Sequence, residues 1–531
     1  MVPPYQPEPL TDFEQDDNRR RMEEALNDVT ARLGARYPLV IAGERVTTEA
    51  TFPSLNPSRP DEIVGYVGSG VRDHAERAMA AAQEAFVNWS RVPHTDRGLL
   101  LVKAAAIMRR RKFELCAWEI LEAGKSWVEA DGDVAEAIDF LEYYGRQVIA
   151  LDTPHQVTPR AGEDNAFVYI PLGVGLIIPP WNFPLAIPTG MVSIAIAAGN
   201  SVIFKPAEQT PVIAYKLVEI LEAAGLPAGV LNFLTGDPAQ VGEPLVTHPR
   251  TRFISFTGSR EVGLRINRLA ADVAPGQIWI KRVVAEMGGK DAIIVDSSAD
   301  PQAAIQGIVA SAFGFQGQKC SACSRAILLD DIYDTVLAGV VAGAEALRVG
   351  PMRAYQNTLG PVIDEDAYRK ILGYIEIGKG EGRLVAGGSS ARNSDRPGYF
   401  IQPTVFADVA PDARIAQEEI FGPVLAVIRA RDYDHALEIA NGTPYGLTGA
   451  VYARDRARLA RARREFHVGN LYLNRKCTGA VVGVQPFGGF NMSGTDSKAG
   501  GPDYLGLFMQ SQSITEALDV PLDMGDQQGA I

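Results

Sequence analysis

Cysteine and histidine are scarce in this chain. Four cysteines, Cys116, Cys320, Cys323 and Cys477, among 531 residues are too few and too scattered for the disulfide framework of a secreted protein, and they fit a reducing compartment. Cys320 and Cys323 form a C-x-x-C pair. A structural zinc needs four ligands, however, the six histidines are dispersed, and the flanking residues lack the thioredoxin pattern, so no metal site is expected. An excess of positive charge is also lacking. The formal charge of -13 argues against a nucleic-acid-coating protein, because phosphate neutralisation needs clustered Lys and Arg. The one short basic run, Arg109, Arg110, Arg111 and Lys112, lies inside a helical pattern from Leu99 and reads as a solvated helix face. Long apolar runs are missing too. The most membrane-like stretch, residues 183–198, is interrupted by Pro184, Pro188 and Gly190 and falls short of the about 20 apolar residues of a membrane span, so it reads as a buried helix. The N-terminal region carries Glu14, Asp16 and Asp17 and nothing resembling a targeting peptide, which leads us to expect a cytoplasmic protein without a membrane partner.

What is present is the composition of a globular protein, 46% hydrophobic and 22% charged, long enough for two or three domains. Apolar residues at spacings of three and four predict helices over residues 75–89 and 99–121. Short apolar runs without alternation, at 174–178, 201–204, 230–234 and 252–255, predict strands covered on both faces. Between them, residues 211–224 read as a helix stopped by Gly225, with Pro227 beyond. Strand, helix and strand at this spacing make a βαβ unit, so residues 174–259 are expected to form a parallel sheet of dinucleotide-binding type. A second α/β unit follows, with strands at 291–295 and 324–329 around a helix at 303–313. Residues 387–403 read as a surface loop ending in a further strand.

The usual G-x-G-x-x-G fingerprint is absent where it is needed. Instead Thr257, Gly258, Ser259 and Gly263 follow a buried strand and open a helix whose first amides can face a pyrophosphate. Lys205 and Glu208 stand at the end of another strand, at the carboxyl edge of the sheet. An acid there can bind ribose hydroxyls and repels a 2′-phosphate, favouring NAD over NADP; the same pair is as readily a surface Lys and Glu at a helix start. Cys320 follows the glycine-broken stretch Gly314, Gln316, Gly317, Gln318 and Lys319, where a thiol can be exposed and its thiolate stabilised. An isolated cysteine is more often a small buried hydrophobe, the reading given to Cys116, Cys323 and Cys477.

Three stretches occur in a telling order: Pro180, Trp181, Asn182, Phe183 and Pro184; Glu286, Met287, Gly288, Gly289 and Lys290; and Gly317, Gln318, Lys319 and Cys320. They resemble the signatures of the aldehyde dehydrogenase family, and Glu419, Ile420, Phe421, Gly422 and Pro423 resemble a further motif of that family. The similarity spans roughly residues 40–515. The resemblance implies a Cys320 thiolate that attacks the aldehyde, an oxyanion hole of the Asn182 side-chain amide and the Cys320 backbone amide, and Glu286 as the base that activates water to hydrolyse the thioester. It implies NAD held by Ile178, Pro179, Trp181, Lys205, Glu208, Gly236, Thr257, Gly258, Ser259, Gly263, Met287, Glu419 and Phe421. The implied fold is α/β: a discontinuous Rossmann-type NAD-binding domain (1–154, 172–286 and 480–505), an α/β catalytic domain (287–479) and a β-strand oligomerisation flap (155–171 and 506–531), making a dimer or larger homo-oligomer.

The stretch from Thr478 through Gly483, followed by Gln485, Pro486, Phe487, Gly488 and Gly489, and the later stretch from Ser493 to Gly501, resemble the L-glutamate γ-semialdehyde dehydrogenase branch of that family. The small-molecule substrate would then carry an α-carboxylate. Amides at Gly479 and Ala480 and the Ser321 hydroxyl can bind it without side-chain bulk, and Lys319 can add charge. Phe183 and Phe487 would form an apolar slot for the stem, though aromatics beside a Pro or Gly are as readily plain packing residues, and the resemblance places the ammonium contact near Glu136. The alternatives are another semialdehyde dehydrogenase, such as one acting on succinate semialdehyde, and a catalytically silent binding or structural homologue; Cys320, Glu286 and Asn182 together argue against the latter.

Overall fold

The computed structural model describes residues 3–153, 156–393 and 397–518. Residues 154 and 155, part of the loop 387–403, and the 519–531 end of the expected flap lie outside them. Two seven-stranded sheets organise the chain. In the first, five parallel strands stand in the order Leu231–Phe233, Ser201–Phe204, Val174–Ile178, Thr251–Thr257 and Arg282–Glu286. The hairpin Leu39–Ile41 and Glu44–Val46 extends it antiparallel. The five parallel strands are mostly buried, as apolar runs without alternation require. The chain runs outward from Val174–Ile178 through two neighbours, then returns to the other side of that strand at Thr251–Thr257. The order therefore reverses between these two strands, and their carboxyl ends flank a crevice, the position at which open parallel sheets bind ligands.

The second sheet carries six parallel strands, Thr404–Ala407, Val424–Ala430, Arg325–Leu329, Ala292–Val295, Thr448–Tyr452 and Asn470–Leu473, with Arg383–Ala386 antiparallel at one edge. The expected α/β architecture is borne out. Helix Pro211–Ala224 begins on its proline and stops at Gly225, whose φ is 103°, as the residues at its ends predict. Helix Pro301–Phe313 begins where Asp300 Oδ1 accepts the Gln302 and Ala303 amides at 3.0 and 3.3 Å, satisfying two otherwise open donors. Strands Glu163–Pro171 and Met509–Ala517 pair antiparallel away from both sheets, and beyond Met509 the latter strand is exposed. No helix of the described residues is long and apolar enough to cross a membrane. The stretch 183–198 contains the buried helix Ala186–Ala197.

Two expectations need correction. Residues 99–121 are not one helix: His94–Arg110 ends and Lys112–Ala123 begins at Arg111 (φ -97°, ψ 11°). The basic run straddles that break and is not one solvated face. Arg109 pairs with Glu8 and Glu142, Arg111 with Glu114 and Glu219, and the buried Lys112 with Asp131 at 2.9 Å. The apolar periodicity continues across the break because both helices bury the same side of the molecule.

Helix His94–Arg110 crosses the long helix Trp127–Ala150 where two glycines face each other. A Cβ on Gly98 would lie 2.5 Å from both the Gly145 carbonyl oxygen and an Ile149 side-chain carbon. Backbone cannot give way cheaply there, so Gly98→Ala is expected to destabilise the protein by about 1–3 kcal/mol. A denaturant midpoint equal to that of the unaltered protein would contradict this reading of the crossing.

Candidate active site

The loop that delivers Cys320 is held in an uncommon backbone conformation. After helix Pro301–Phe313, Phe315, Gln316 and Gly317 all have positive φ, at 47°, 57° and 68°. For the two non-glycine residues this costs on the order of 1–3 kcal/mol each, so the surroundings must impose it. The buried Gln316 does so with its side chain, its Nε2 donating to the Gly124 and Pro361 carbonyls at 3.1 and 2.7 Å. Gly317 lies against the Gly422 carbonyl with no room for a Cβ. Beyond this turn Cys320 is part-exposed, while Cys116, Cys323 and Cys477 are buried. Asn182, also buried, uses one of its two N–H groups to donate to the Gln318 carbonyl at 3.0 Å. The amide and the thiol-bearing loop are thereby locked together.

Glu286 is the last residue of its strand, paired in register with Thr257 and bridged to Gly494. Its Oε1 accepts from the Ser497 hydroxyl at 2.6 Å and its Oε2 from the Gly489 amide at 3.2 Å. Gly488 and Gly494 press on the carboxyl so closely that a Cβ would come within 2.8 and 3.0 Å of its oxygens. Burial pushes Glu286 up to about 8, against the pull of those two bonds and of Lys498. Asp291, almost wholly buried beside the Cys320 carbonyl, is also pushed well above the carboxylate range by burial. The Cys320 thiol itself is held up, first by burial and then by Asp291, Glu419 and Glu286. The glycine-broken chain gives the thiol access, while burial first and the nearby acids second push against the stabilised thiolate expected from the loop.

Most of the residues read as cofactor contacts follow strands of the first sheet, on both sides of its switch point. Ile178, Pro179 and Trp181 follow one flanking strand. Thr257, Gly258 and Ser259 follow the other and open helix Arg260–Ala271, capped by Ser259 Oγ on the Val262 amide at 3.3 Å. Lys205, almost buried, stands 3.9 Å from the exposed Glu208 at the end of the neighbouring strand. Gly236 and Gly263 sit against the Gly70 carbonyl and Met287 Sδ, each 2.6 Å from where a Cβ would stand. Across the cleft, Glu419 Oε1 accepts the Gly289 amide at 3.1 Å, and Gly288 leaves room for that carboxyl. Phe421 (φ 60°) sets its ring edge-on to Trp181 at 5.5 Å. A cation and an acid at the carboxyl edge of a parallel sheet, with an open helix N-terminus at its switch point, are the donor set a dinucleotide requires.

On the substrate side, Phe183 rests against the buried Lys125, whose Nζ lies 4.1 Å from the ring centroid and 4.5 Å from that of Phe315. Lys125 pairs with Asp133 at 2.8 Å, and Asp133 Oδ1 accepts the Ala186 amide at 2.6 Å. Lys319 is not a free charge: it pairs with Glu129 at 2.6 Å. Glu136, on the same helix as Glu129 and Asp133, is pushed by burial up to about 8. Ser321 is buried, Gly479 turns with φ 76°, Ala480 is part-exposed, and Phe487 is tied to Ala499 by two backbone bonds of 2.9 and 2.8 Å. The sequence reading passed over Lys125, Ser497 and Arg475. Arg475 Nη2 donates to the Thr478 and Gly479 carbonyls at 3.1 and 2.8 Å and so fixes that turn. Ser497 stood within a quoted motif, whereas Lys125 and Arg475 carried no local signal.

Comparison with known proteins identifies the family. Residues 45–514 match the Aldehyde dehydrogenase family. A 1-pyrroline-5-carboxylate dehydrogenase of Geobacillus kaustophilus (strain HTA426) is 62% identical over 516 residues, 97% of this chain and 100% of that protein. A crystal structure of 1-pyrroline-5-carboxylate dehydrogenase from Thermus with bound NAD superposes with a TM-score of 0.95 at 55% identity, covering 97% of this chain and 99% of the other. A proline utilization A structure from Bdellovibrio bacteriovorus also superposes at 0.95, with 46% identity, and this chain spans 53% of it.

Because the Ser497 bond favours the charged form of Glu286, Ser497→Ala is expected to move that titration further upward. Infrared titration of the carboxyl band, with Glu286→Gln to identify it, reads the shift; an unchanged or lowered midpoint would rule out the clasp as the tuning device.

Proposed function

The chain belongs to the aldehyde dehydrogenase family, and from that membership we propose how its residues divide the NAD-dependent oxidation of L-glutamate γ-semialdehyde to L-glutamate, a step of proline catabolism. Pyrroline ring opening supplies the semialdehyde. The Cys320 thiol passes its proton to solvent and its sulfur attacks the aldehyde carbon, forming a C–S bond while the carbonyl π pair moves onto oxygen as an alkoxide. The Asn182 amide and the Cys320 backbone N–H donate to that oxygen where its charge develops. Bound NAD supplies the hydride acceptor. The alkoxide pair re-forms the carbonyl as the C–H bond breaks and its hydride leaves to that acceptor, giving a thioester; Glu286 then takes a proton from water, the water oxygen bonds the acyl carbon, the C–S bond breaks, and the thiolate of Cys320 returns. The observation that carries this reading is the meeting of three elements at one cleft: the Cys320 loop, the Asn182 amide bonded to it, and the Glu286 carboxyl clasped by Ser497 and Gly489.

Recognition of the amino-acid end belongs to Gly479, Ala480 and Ser321 for the carboxylate, Glu136 for the ammonium, and Phe183 and Phe487 for the stem. The pairing of Lys319 with Glu129 leaves the carboxylate mainly to backbone amides. Cofactor binding belongs to the residues on both sides of the switch point, within a discontinuous domain that shares the cleft with the catalytic domain. The exposed strand Met509–Ala517 is suited to joining copies of the chain into a dimer or larger assembly, because its outer edge leaves backbone groups to pair. A cytoplasmic setting accords with the four free cysteines among the described residues.

Cys320→Ala is expected to form no NADH. Glu286→Gln is expected to release one equivalent of NADH rapidly and then turn over roughly 10²–10⁴-fold more slowly, because acylation precedes the step that needs the base. A slow, burst-free Glu286→Gln enzyme would overturn that division of roles. In the unaltered protein, hydrolysis quickens as pH rises through about 8, where Glu286 becomes the carboxylate able to accept a proton. Preference for succinate semialdehyde over L-glutamate γ-semialdehyde would remove the substrate assignment and leave the chemistry; silence with both would favour a binding role.

A further inference from the structure

The N-terminal arm contains Pro3, Pro4, Pro7 and Pro9, which hold it extended and keep it out of helix or sheet ladders. Residues 3–12 form no helix or strand, yet they are docked along helix Trp127–Ala150 and its neighbours by a succession of polar contacts. Arg146 Nε donates to the Pro3 carbonyl at 2.7 Å, and Asp139 Oδ1 accepts the Glu8 amide at 2.7 Å. Arg109 pairs with Glu8 at 2.8 Å, and Lys112 donates to the Pro9 carbonyl at 3.1 Å. Asp131 accepts both the Thr11 amide at 2.8 Å and the Thr11 hydroxyl at 2.5 Å. Asp131 and Asp139 are buried, so losing the arm would leave two carboxyl groups short of partners.

At its far end the arm reaches the substrate side of the molecule. The Tyr5 hydroxyl donates to the Val482 carbonyl at 2.9 Å, and its ring lies edge-on to Tyr143 at 5.3 Å. Gly483 fits under these two rings: a Cβ there would fall 2.9 Å from Tyr143 and 3.0 Å from Tyr5. Val482 and Gly483 continue the loop that carries Gly479 and Ala480. That loop turns on two residues of positive φ, Gly479 at 76° and Gly483 at 73°, so its shape depends on what holds it. Arg475 holds the beginning by the Thr478 and Gly479 carbonyls; the Gly500 carbonyl, which accepts the Gly483 amide at 2.9 Å, and Tyr5 hold the end.

We propose that the N-terminal arm, through Tyr5, positions the loop 478–483 and thereby sets the preference for an amino-acid semialdehyde over aldehydes that lack a carboxylate. The proposal rests on the reading of Gly479 and Ala480 as the amides that bind that carboxylate. Amides bind an anion well only when they are already in place, because reorganisation is subtracted from the binding free energy. Tyr5 is thus a positioning residue. It acts on a part of the substrate remote from the reacting carbon.

The test compares Tyr5→Phe, which removes one hydroxyl and keeps the ring, with Tyr5→Ala and Gly479→Ala in the full chain. KM and kcat are measured for L-glutamate γ-semialdehyde and for propanal, and L-glutamate is titrated as a protector of Cys320 against alkylation. Loss of the hydrogen bond is expected to raise KM for the semialdehyde by roughly three- to tenfold and to weaken glutamate protection by a similar factor. The kcat and the propanal kinetics stay unchanged. An unaltered semialdehyde KM in both Tyr5 variants, or an equal rise for the two aldehydes, overturns the proposal. If Gly479→Ala erases the preference while the Tyr5 variants do not touch it, the arm's role alone falls. If L-glutamate fails to protect Cys320 in the unaltered protein, the reading of the carboxylate-binding amides falls and takes the arm's role with it.

Discussion

The fit of the C-terminal segment between the two sheets is the constraint on which the site depends. Glu286 ends an edge strand of the first sheet. Its oxygens are met by Ser497 and Gly489, and its neighbour Met287 donates its amide to the Ser493 carbonyl at 2.7 Å. The same segment pairs Phe490–Asn491 with Tyr445–Gly446 beside the second sheet, and Lys498 reaches the carbonyls of Gly469 and Gly488. One strip of chain therefore ties both bodies to a single carboxyl group. The glycines at 488, 489 and 494 follow from that closeness, since each approaches a backbone atom or the carboxyl where a side chain would have to displace it. A displacement of the strip would move Glu286 and the cleft walls together.

The same closeness accounts for the electrostatics. Acids gather around Cys320, and burial raises Asp291, Glu419 and Glu286 together. Burying several carboxylates side by side would be prohibitive in the charged form, and protonation relieves most of that cost. Protonated acids are tolerable to the fold, and the Cys320 thiol is held up chiefly by its own burial. The proposed reaction uses Glu286 as a carboxylate in its later half, and a group pushed up to about 8 suits a site that first buries and then uses a base.

Much of this was legible in the sequence, and the parts that were not share a cause. The sheet strands could be read because burial on both faces leaves unbroken apolar runs, and helix Pro211–Ala224 because its ends carry a proline and a glycine. The motifs around Glu286 and Cys320 pointed to the cleft before any contact was known. The break at Arg111 was invisible, since no glycine or proline marks it and the apolar face continues across it. The left-handed turn at Phe315 and Gln316 was equally hidden, because the residues that impose it, Gly124 and Pro361, are remote in sequence. Lys319 was read as free charge for the same reason: its partner Glu129 lies on another element. Local patterns reveal what a segment must bury; they do not reveal which distant group has already claimed a charge.

Lys125 shows how far such distant pairings reach into the site. It is fully buried, and its charge is matched chiefly by Asp133 at 2.8 Å, with Glu119 farther off at 3.9 Å. A buried pair of this kind contributes little net stability over a well-packed apolar pair, but removing one member strands a charge and costs about 3–5 kcal/mol. Stability alone therefore gives weak reason for its presence, and geometry gives a better one. Asp133 caps the start of helix Ala186–Ala197, just after Asn182 and Phe183, while the ammonium of Lys125 lies against the rings of Phe183 and Phe315. A hydrophobic replacement could fill the volume, but it could not bind a helix start, the Phe183 ring and the Phe315 turn before Cys320 to one point. The pair joins the segment that carries the Asn182 amide to the loop that carries Cys320, and this distance has to hold if both groups are to meet one carbonyl.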